Sequence, residues 1–160
     1  MFAPELLDKA EKFLAHCRQN NWQVATAESC TGGLIAGLLT SVAGSSDVVD
    51  RGFVTYTNEA KQQMLGVPAN LFDEVGAVSE QVARAMAEGA IKNSNANISV
   101  SVTGIAGPGG ATPEKPVGLV HMAVARRDLP TRHERFVFEG DRAAVRLATV
   151  EAALKTMGES

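Results

Sequence analysis

The feature that most restricts the fold is a change of hydrophobic period within residues 23–39. Gln23 to Ala27 reads as a short strand, Glu28-Ser29-Cys30-Thr31-Gly32-Gly33 interrupts it, and Leu34, Ile35, Leu38 and Leu39 then recur at helical spacing. This is a strand, tight turn, helix unit, and such units are built by packing the helix against a sheet. The alternation extends in both directions. Leu6, Leu7, Ala10, Phe13, Leu14 and Cys17 make one face of an opening helix that ends near Asn20-Asn21. Val48 to Thr55 reads as a second strand, and Thr57-Asn58 supplies cap chemistry for a helix holding Glu59, Lys61 and Met64 that stops at Gly66-Val67-Pro68.

Further along, Ser79 is placed to cap a helix carrying Val82, Met86, Ala90 and Ile91. Ile98, Val100 and Val102 then alternate with Ser99, Ser101 and Thr103 as a strand. A glycine-rich segment from Gly104 to Pro116, about twelve residues without evident secondary structure, separates that strand from two more. These are Val117 to Ala125 and Arg132 to Phe138, joined near Asp128-Leu129-Pro130 as a hairpin, and an amphipathic helix over Arg142 to Met157 closes the chain. The pattern predicts an α/β fold, a three-layer αβα sandwich around a mostly parallel, mixed central sheet, with residues 1–160 as one domain.

Composition supports a real core: 45% of the 160 residues are hydrophobic and 21% charged, which excludes general disorder. Lysine plus arginine is 15 against 18 acidic residues, a net charge of −3, so a sequence-independent nucleic-acid binder is not expected. Cys17 and Cys30 form neither a disulfide framework nor a zinc-ligand spacing, which points to a reducing cytoplasm. Met1 to Asn20 has charges at regular intervals, and no run approaches the roughly 18 apolar residues of a membrane span, so neither secretion nor insertion is expected.

Ser29, Tyr56 and Thr103 each fall at or just beyond the C-terminal end of a predicted strand, the edge where open α/β sheets bind ligands. Ser29 reads either as the N-cap of the following helix or as a nucleophile. In the second case the N–H groups of Thr31, Gly32 and Gly33 are available to an anion or a developing oxyanion. Gly-x-Ser-x-Gly is absent, so the hydrolase elbow is not supported. A serine needs a base. His16 sits in the first helix, His121 and His133 lie in the hairpin, and a Ser-His-Asp triad is therefore disfavoured. Lys61 is the better base, because burial, a helix N-terminus and a neighbouring cation would each lower its pKa. A solvated surface lysine is the plain alternative.

Tyr56, the only tyrosine, is either a buried strand aromatic or a phenol at the site. Ser99, Ser101 and Thr103 make an unusually small, polar strand face, suited to close packing of a helix or of a ligand. Residues 104–110 match neither a P-loop nor Gly-x-Gly-x-x-Gly, leaving a mobile loop, a lid or a backbone anion nest. Arg142 and Arg146, one turn apart, can share a face toward a phosphate. Cys30 beside Ser29 is a rival nucleophile or a small buried thiol.

Several long blocks then resemble one family. They are Thr26-Ala27-Glu28-Ser29-Cys30-Thr31-Gly32-Gly33, Gly52 through Lys61, Gly76-Ala77-Val78-Ser79, Ser101 through Pro108, Lys115-Pro116-Val117-Gly118, and Gly140-Asp141-Arg142 with Val145-Arg146. In this order they resemble the CinA C-terminal domain family across nearly the whole chain. The resemblance implies a nicotinamide-nucleotide amidase, converting nicotinamide mononucleotide to nicotinate mononucleotide and ammonia in pyridine-nucleotide salvage. It implies catalytic roles for Ser29, Lys61, Tyr56 and Thr103. It also brings a small-molecule nucleotide as partner and a homodimer as the family-level expectation; the serine-lysine chemistry requires no cofactor or metal, and charge and hydropathy leave no nucleic-acid or membrane partner expected. Candidate substrate contacts are Glu28, Thr31, Gly32 and Gly33 in the first turn, Gly104, Ala106 and Gly107 in the glycine-rich segment, Arg142 as first choice for the phosphate and Arg146 as second. The pyrophosphatase activity of the separate N-terminal domain in longer relatives is not expected of these residues. A non-catalytic nucleotide-binding module, or an amidase for another small amide, is the alternative.

Overall fold

A computed structural model describes residues 1–160. The chain runs α1 (Pro4–Gln19), β1 (Val24–Glu28), α2 (Leu34–Thr40), β2 (Val49–Val54), α3 (Asn58–Leu65), α4 (Asn70–Glu74), α5 (Glu80–Lys92), β3 (Ile98–Gly104), β4 (Leu119–Arg126), β5 (Arg132–Val137) and α6 (Arg142–Gly158). The helices start where local chemistry allows. Pro4 stands in the first turn of α1, while the side chains of Thr57, Ser79 and Asp141 accept from the N–H groups of Ala60, Val82 and Ala144 at the starts of α3, α5 and α6. Helix α4 and a short 3-10 turn at Ser45–Asp47 were not legible in the sequence. Neither has a side-chain cap, and α4 buries no residue, so no periodic signal marks it.

The five strands form one sheet in the order β2-β1-β3-β4-β5. β2, β1 and β3 are mutually parallel, and β4 is antiparallel to both of its neighbours, so it alone runs against the rest. Helices α1, α2 and α6 contact one another, and α2 and α6 contact the sheet; α5 lies across the other side, with α3 and α4 against it. This is the three-layer arrangement the alternating pattern predicts. The C-terminal ends of β1, β2 and β3 consequently meet at one edge, together with the start of α6.

The two sides of the sheet differ in texture. Toward α1, α2 and α6 lies a large core of Leu14, Leu38, Ile98, Val100, Met122, Leu154 and their neighbours. Toward α5 the strands present Ala25 and Ala27, which cluster with Val82, Met86 and Ala90 of the helix, and Ala123 and Ala125, which meet Ala83 and Ala87, with Ser99 and Ser101 between them. The small residues bring α5 close enough for the Ser99 and Ser101 hydroxyls to donate to the carbonyls of Ala87 (2.7 Å) and Ala83 (2.5 Å). Helix packing therefore accounts for that polar face, and buried hydroxyls are satisfied by the helix backbone.

Gly89 places α5 against the end of α3. A Cβ there would lie 2.1 Å from the Leu65 carbonyl oxygen. Gly89→Ala gains about 1 kcal/mol of helix propensity, but the overpacking costs about 1–3 kcal/mol, and contact with backbone puts it at the upper end. Urea unfolding should show a net loss of about 1–2 kcal/mol. An unchanged or raised midpoint would contradict the close approach.

Candidate active site

Ser29 is the first residue after β1, and its N–H donates to the Val102 carbonyl (3.1 Å), fixing the turn to the adjacent strand. The turn passes through two left-handed glycines, Gly32 (φ 60°) and Gly33 (φ 105°), a conformation that strains any residue with a Cβ. Gly33, not Ser29, occupies the N-cap position of α2. The actual cap is Glu28. Its fully buried carboxylate accepts from the Thr31 hydroxyl (2.5 Å) and from the N–H groups of Ile35 (2.9 Å) and Ala36 (3.0 Å). The start of α2, expected to be open to an external anion, thus already holds an internal one, and charge-assisted bonds of this kind are strong. The Gly32 N–H is likewise committed, donating to the Ser29 carbonyl (3.1 Å). Neither Glu28 nor Thr31 faces the cavity; both hold the Ser29 turn in shape.

Lys61 lies on the second turn of α3, where the Cα–Cβ bond tilts toward the helix start. Its side chain runs back to the residues that follow β2 and is only 1% exposed. Nζ donates to Ser29 Oγ (3.0 Å), the Thr55 carbonyl (2.9 Å) and the Tyr56 carbonyl (3.3 Å). No carboxylate lies within ion-pair distance. Burial without a counter-ion pushes the Lys61 amine down to about 8 from its ordinary 10.5, with the Cys30 sulfur pulling slightly the other way. The neighbouring cation expected from the sequence does not contribute; burial suffices. Once neutral, the amine has two N–H groups for the two carbonyls, and its lone pair is left facing the Ser29 hydroxyl.

A cavity of about 200 Å³ opens over this pair, lined by Ser29, Lys61, Tyr56, Thr103 and Arg142 among others. The sheet edge thus brings all four expected catalytic residues together, with Gly104 and Ala106 on the same wall. Tyr56 is 59% exposed, not a buried strand aromatic, and its hydroxyl accepts from Arg142 Nη2 (3.1 Å). The Thr103 hydroxyl donates to the Ala77 carbonyl (2.8 Å), tying the segment before α5 to the cavity wall. Asn58, Ala77 and Val78 also line the cavity. Sequence reasoning read Asn58 only as cap chemistry and gave Ala77 and Val78 no role, because an apolar wall leaves no chemical signature.

Gly32, Gly33, Gly107 and Arg146 do not line this cavity, whereas Cys30 does. Gly107 accepts from Arg142 Nη1 through its carbonyl (2.9 Å). Arg146 donates to the carbonyls of Cys30 (3.1 Å) and Thr31 (3.2 Å), lying over the Gly32 turn. It also lines a second cavity of about 660 Å³ with Ala106, Pro108, Gly140 and Arg142. Burial pushes the Cys30 thiol up to about 11, which keeps it protonated at neutral pH and removes it as a rival nucleophile. His121 and His133 are hydrogen-bonded to each other (2.8 Å) and line neither cavity. A concavity of about 720 Å³ over Phe136 and Phe138 lies between α1 and α6 and contains none of these groups. No helix is long and apolar enough to cross a membrane.

A family model for the CinA C-terminal domain matches residues 7–160. The chain belongs to the CinA C-terminal domain family. Among solved CinA-type structures, the competence/damage inducible protein CihA of Agrobacterium tumefaciens superposes with a TM-score of 0.95 at 51% identity, covering 98% of this chain and 96% of that one. A CinA-like protein of Akkermansia muciniphila is 49% identical over 154 residues, which is 96% of this chain and 37% of that relative. This chain therefore spans little more than a third of such longer CinA relatives. A nicotinamide-nucleotide amidohydrolase PncC of Enterobacter agglomerans is 49% identical over 142 residues, 89% of this chain and 87% of that protein.

Proposed function

We propose that this CinA-family chain is a nicotinamide-nucleotide amidase, hydrolysing the carboxamide of nicotinamide mononucleotide with Ser29 as nucleophile and Lys61 as base, in pyridine-nucleotide salvage in the cytoplasm. The observation that carries the reading is the buried 3.0 Å contact between Lys61 Nζ and Ser29 Oγ. A lysine without a counter-ion, pushed toward neutrality beside a serine hydroxyl, is the arrangement a nucleophilic serine requires. The PncC relative, matched along most of both chains, supports the substrate.

In the first half-reaction neutral Lys61 takes the Ser29 proton as Oγ bonds to the carboxamide carbon. Negative charge moves to the carboxamide oxygen, and the Thr103-Gly104 junction, which lines the cavity beside Ser29, is the backbone that would hold it. Collapse breaks the C–N bond, and the nitrogen leaves as ammonia after receiving a proton through Lys61 and the Tyr56 hydroxyl. Water then attacks the ester, Lys61 takes its proton, and the carboxylate product departs with Ser29 restored. The cavity of about 200 Å³ suits the ring and its carboxamide, and the adjoining one of about 660 Å³ suits ribose and phosphate, with Arg142 in the shared wall. Glu28 and Thr31 act by holding the Ser29 turn, and Arg146 by covering it.

The direct test is ammonia release from nicotinamide mononucleotide, with the product identified by mass. Turnover to nicotinate mononucleotide is the expected result. Nucleotide binding without ammonia would replace the enzyme by a binding module, and turnover of a different amide alone would change the substrate.

A further inference from the structure

Arg142 makes two bonds that cross the mouth of the catalytic cavity. Nη1 donates to the Gly107 carbonyl at 2.9 Å and Nη2 to the Tyr56 hydroxyl at 3.1 Å. Arg142 thus joins the glycine-rich segment to a phenol that lies 86 residues before Arg142 itself in sequence. Arg18, Arg51 and Arg84 are each paired with a carboxylate. Arg142 and Arg146, which share the larger cavity, have only neutral oxygens as partners. Asp141, on the same rim, has its carboxylate turned to the Ala144 N–H.

A guanidinium held by a carbonyl and a phenol exchanges them readily for a phosphate, whose oxygens accept two charge-assisted bonds in the fork geometry of arginine. Both present bonds of Arg142 use nitrogens that such a fork would need. A phosphate entering the larger cavity would therefore draw Nη2 away from Tyr56 and leave the phenol free to face the smaller one.

We propose that Arg142 is a phosphate-operated latch on Tyr56. Without a phosphate it holds the hydroxyl; a phosphate-bearing substrate takes the guanidinium and frees the phenol for the departing nitrogen. This rests on the amidase reading for its catalytic consequence, and it makes Arg142 specificity-determining: a substrate lacking the phosphate turns over slowly once bound, because Tyr56 stays tied. Only hydrogen-bond partners change, so no further reactant is required.

The chain has one tyrosine, so protein labelled with carbon-13 in the tyrosine ring gives a single Tyr56 signal. Titration with inorganic phosphate should shift that signal saturably in the wild type. In Arg142→Gln it should start displaced and not respond, and in Arg142→Lys, which keeps the charge but not the fork, the response should shrink. Calorimetry on the same samples shows whether phosphate binds. A fixed Tyr56 signal despite phosphate binding, no phosphate binding at all, or the same response in Arg142→Gln would each overturn the latch. In the activity arm, phosphite added to nicotinamide riboside should raise kcat about tenfold in the wild type and leave Arg142→Gln unchanged; stimulation of both equally would also overturn it. Failure of the wild type to hydrolyse nicotinamide mononucleotide would discard the amidase reading alone, since the Tyr56 response to inorganic phosphate decides the latch by itself.

Discussion

Ser29→Ala should lower kcat for nicotinamide mononucleotide by at least about a thousandfold, because loss of the nucleophile removes the covalent route and leaves only the environment around it. The protein should remain folded. The substitution deletes one hydroxyl, the turn is held by the Glu28 carboxylate and the Ser29 N–H, and Lys61 keeps its two carbonyl acceptors. A stability change of at most about 1 kcal/mol follows from losing one hydrogen bond. Nucleotide affinity, read by calorimetry, should be nearly that of the wild type. Turnover within a few-fold of normal would remove Ser29 from the mechanism, and lost binding with lost activity would make it a binding residue.

Lys61→Met tests the base with a side chain of similar length and no amine. It should cost about a hundredfold to ten-thousandfold in kcat, the range of positioned general bases. The wild-type rate should carry a signature that the variant lacks. With the amine at about 8, only about a tenth of molecules hold it neutral at pH 7, so kcat/KM should rise as pH climbs to about 8 and level off above. Stability offers an independent check. The folded chain releases this proton near pH 8 and the unfolded chain near 10.5, so between those values the unfolded state binds more protons and stability rises with pH. Below pH 8 the amine is charged in both states and its burial is a full cost. Lys61→Met should flatten the rise between about pH 8 and 10.5. The Thr55 and Tyr56 carbonyls left without a donor add a penalty that does not vary with pH. A wild-type activity profile without a limb near pH 8, or the same stability slope in both proteins, would exclude Lys61 as a neutral base.

Much of the fold was legible because its signals are local. Thr57 and Ser79 cap α3 and α5 with their own side chains, and Ile98, Val100 and Val102 alternate with Ser99, Ser101 and Thr103 at the period of a strand. The strand-end positions of Ser29, Tyr56 and Thr103 were legible for the same reason, and the parallel run of β1, β2 and β3 then places them at one edge. Glu28 shows where this stops. The family resemblance makes it a candidate substrate contact; in the fold its carboxylate reaches forward to Ile35 and Ala36 and fills the helix start expected to receive an anion. For Tyr56 the sequence leaves two readings, a buried strand aromatic or a phenol at the site, and the fold decides between them: it stands 59% exposed with its hydroxyl on Arg142.

Periodicity, capping and turn geometry act over a few residues, and so every strand, every helix but α4 and the turn at Ser45–Asp47, the mixed three-layer class and the edge where chemistry gathers could be read from the chain alone. The tertiary structure alone decided the strand order, the burial of Lys61 against a serine 32 residues away, and the bridge from Arg142 to Tyr56 across 86 residues. Those depend on which surfaces pack. An isolated helix bearing Lys61 would leave its amine in water and fully charged, and only the fold, which seats α3 against α5 and brings Lys61 Nζ to Ser29, Thr55 and Tyr56 beyond the ends of β1 and β2, removes the solvent that kept it so.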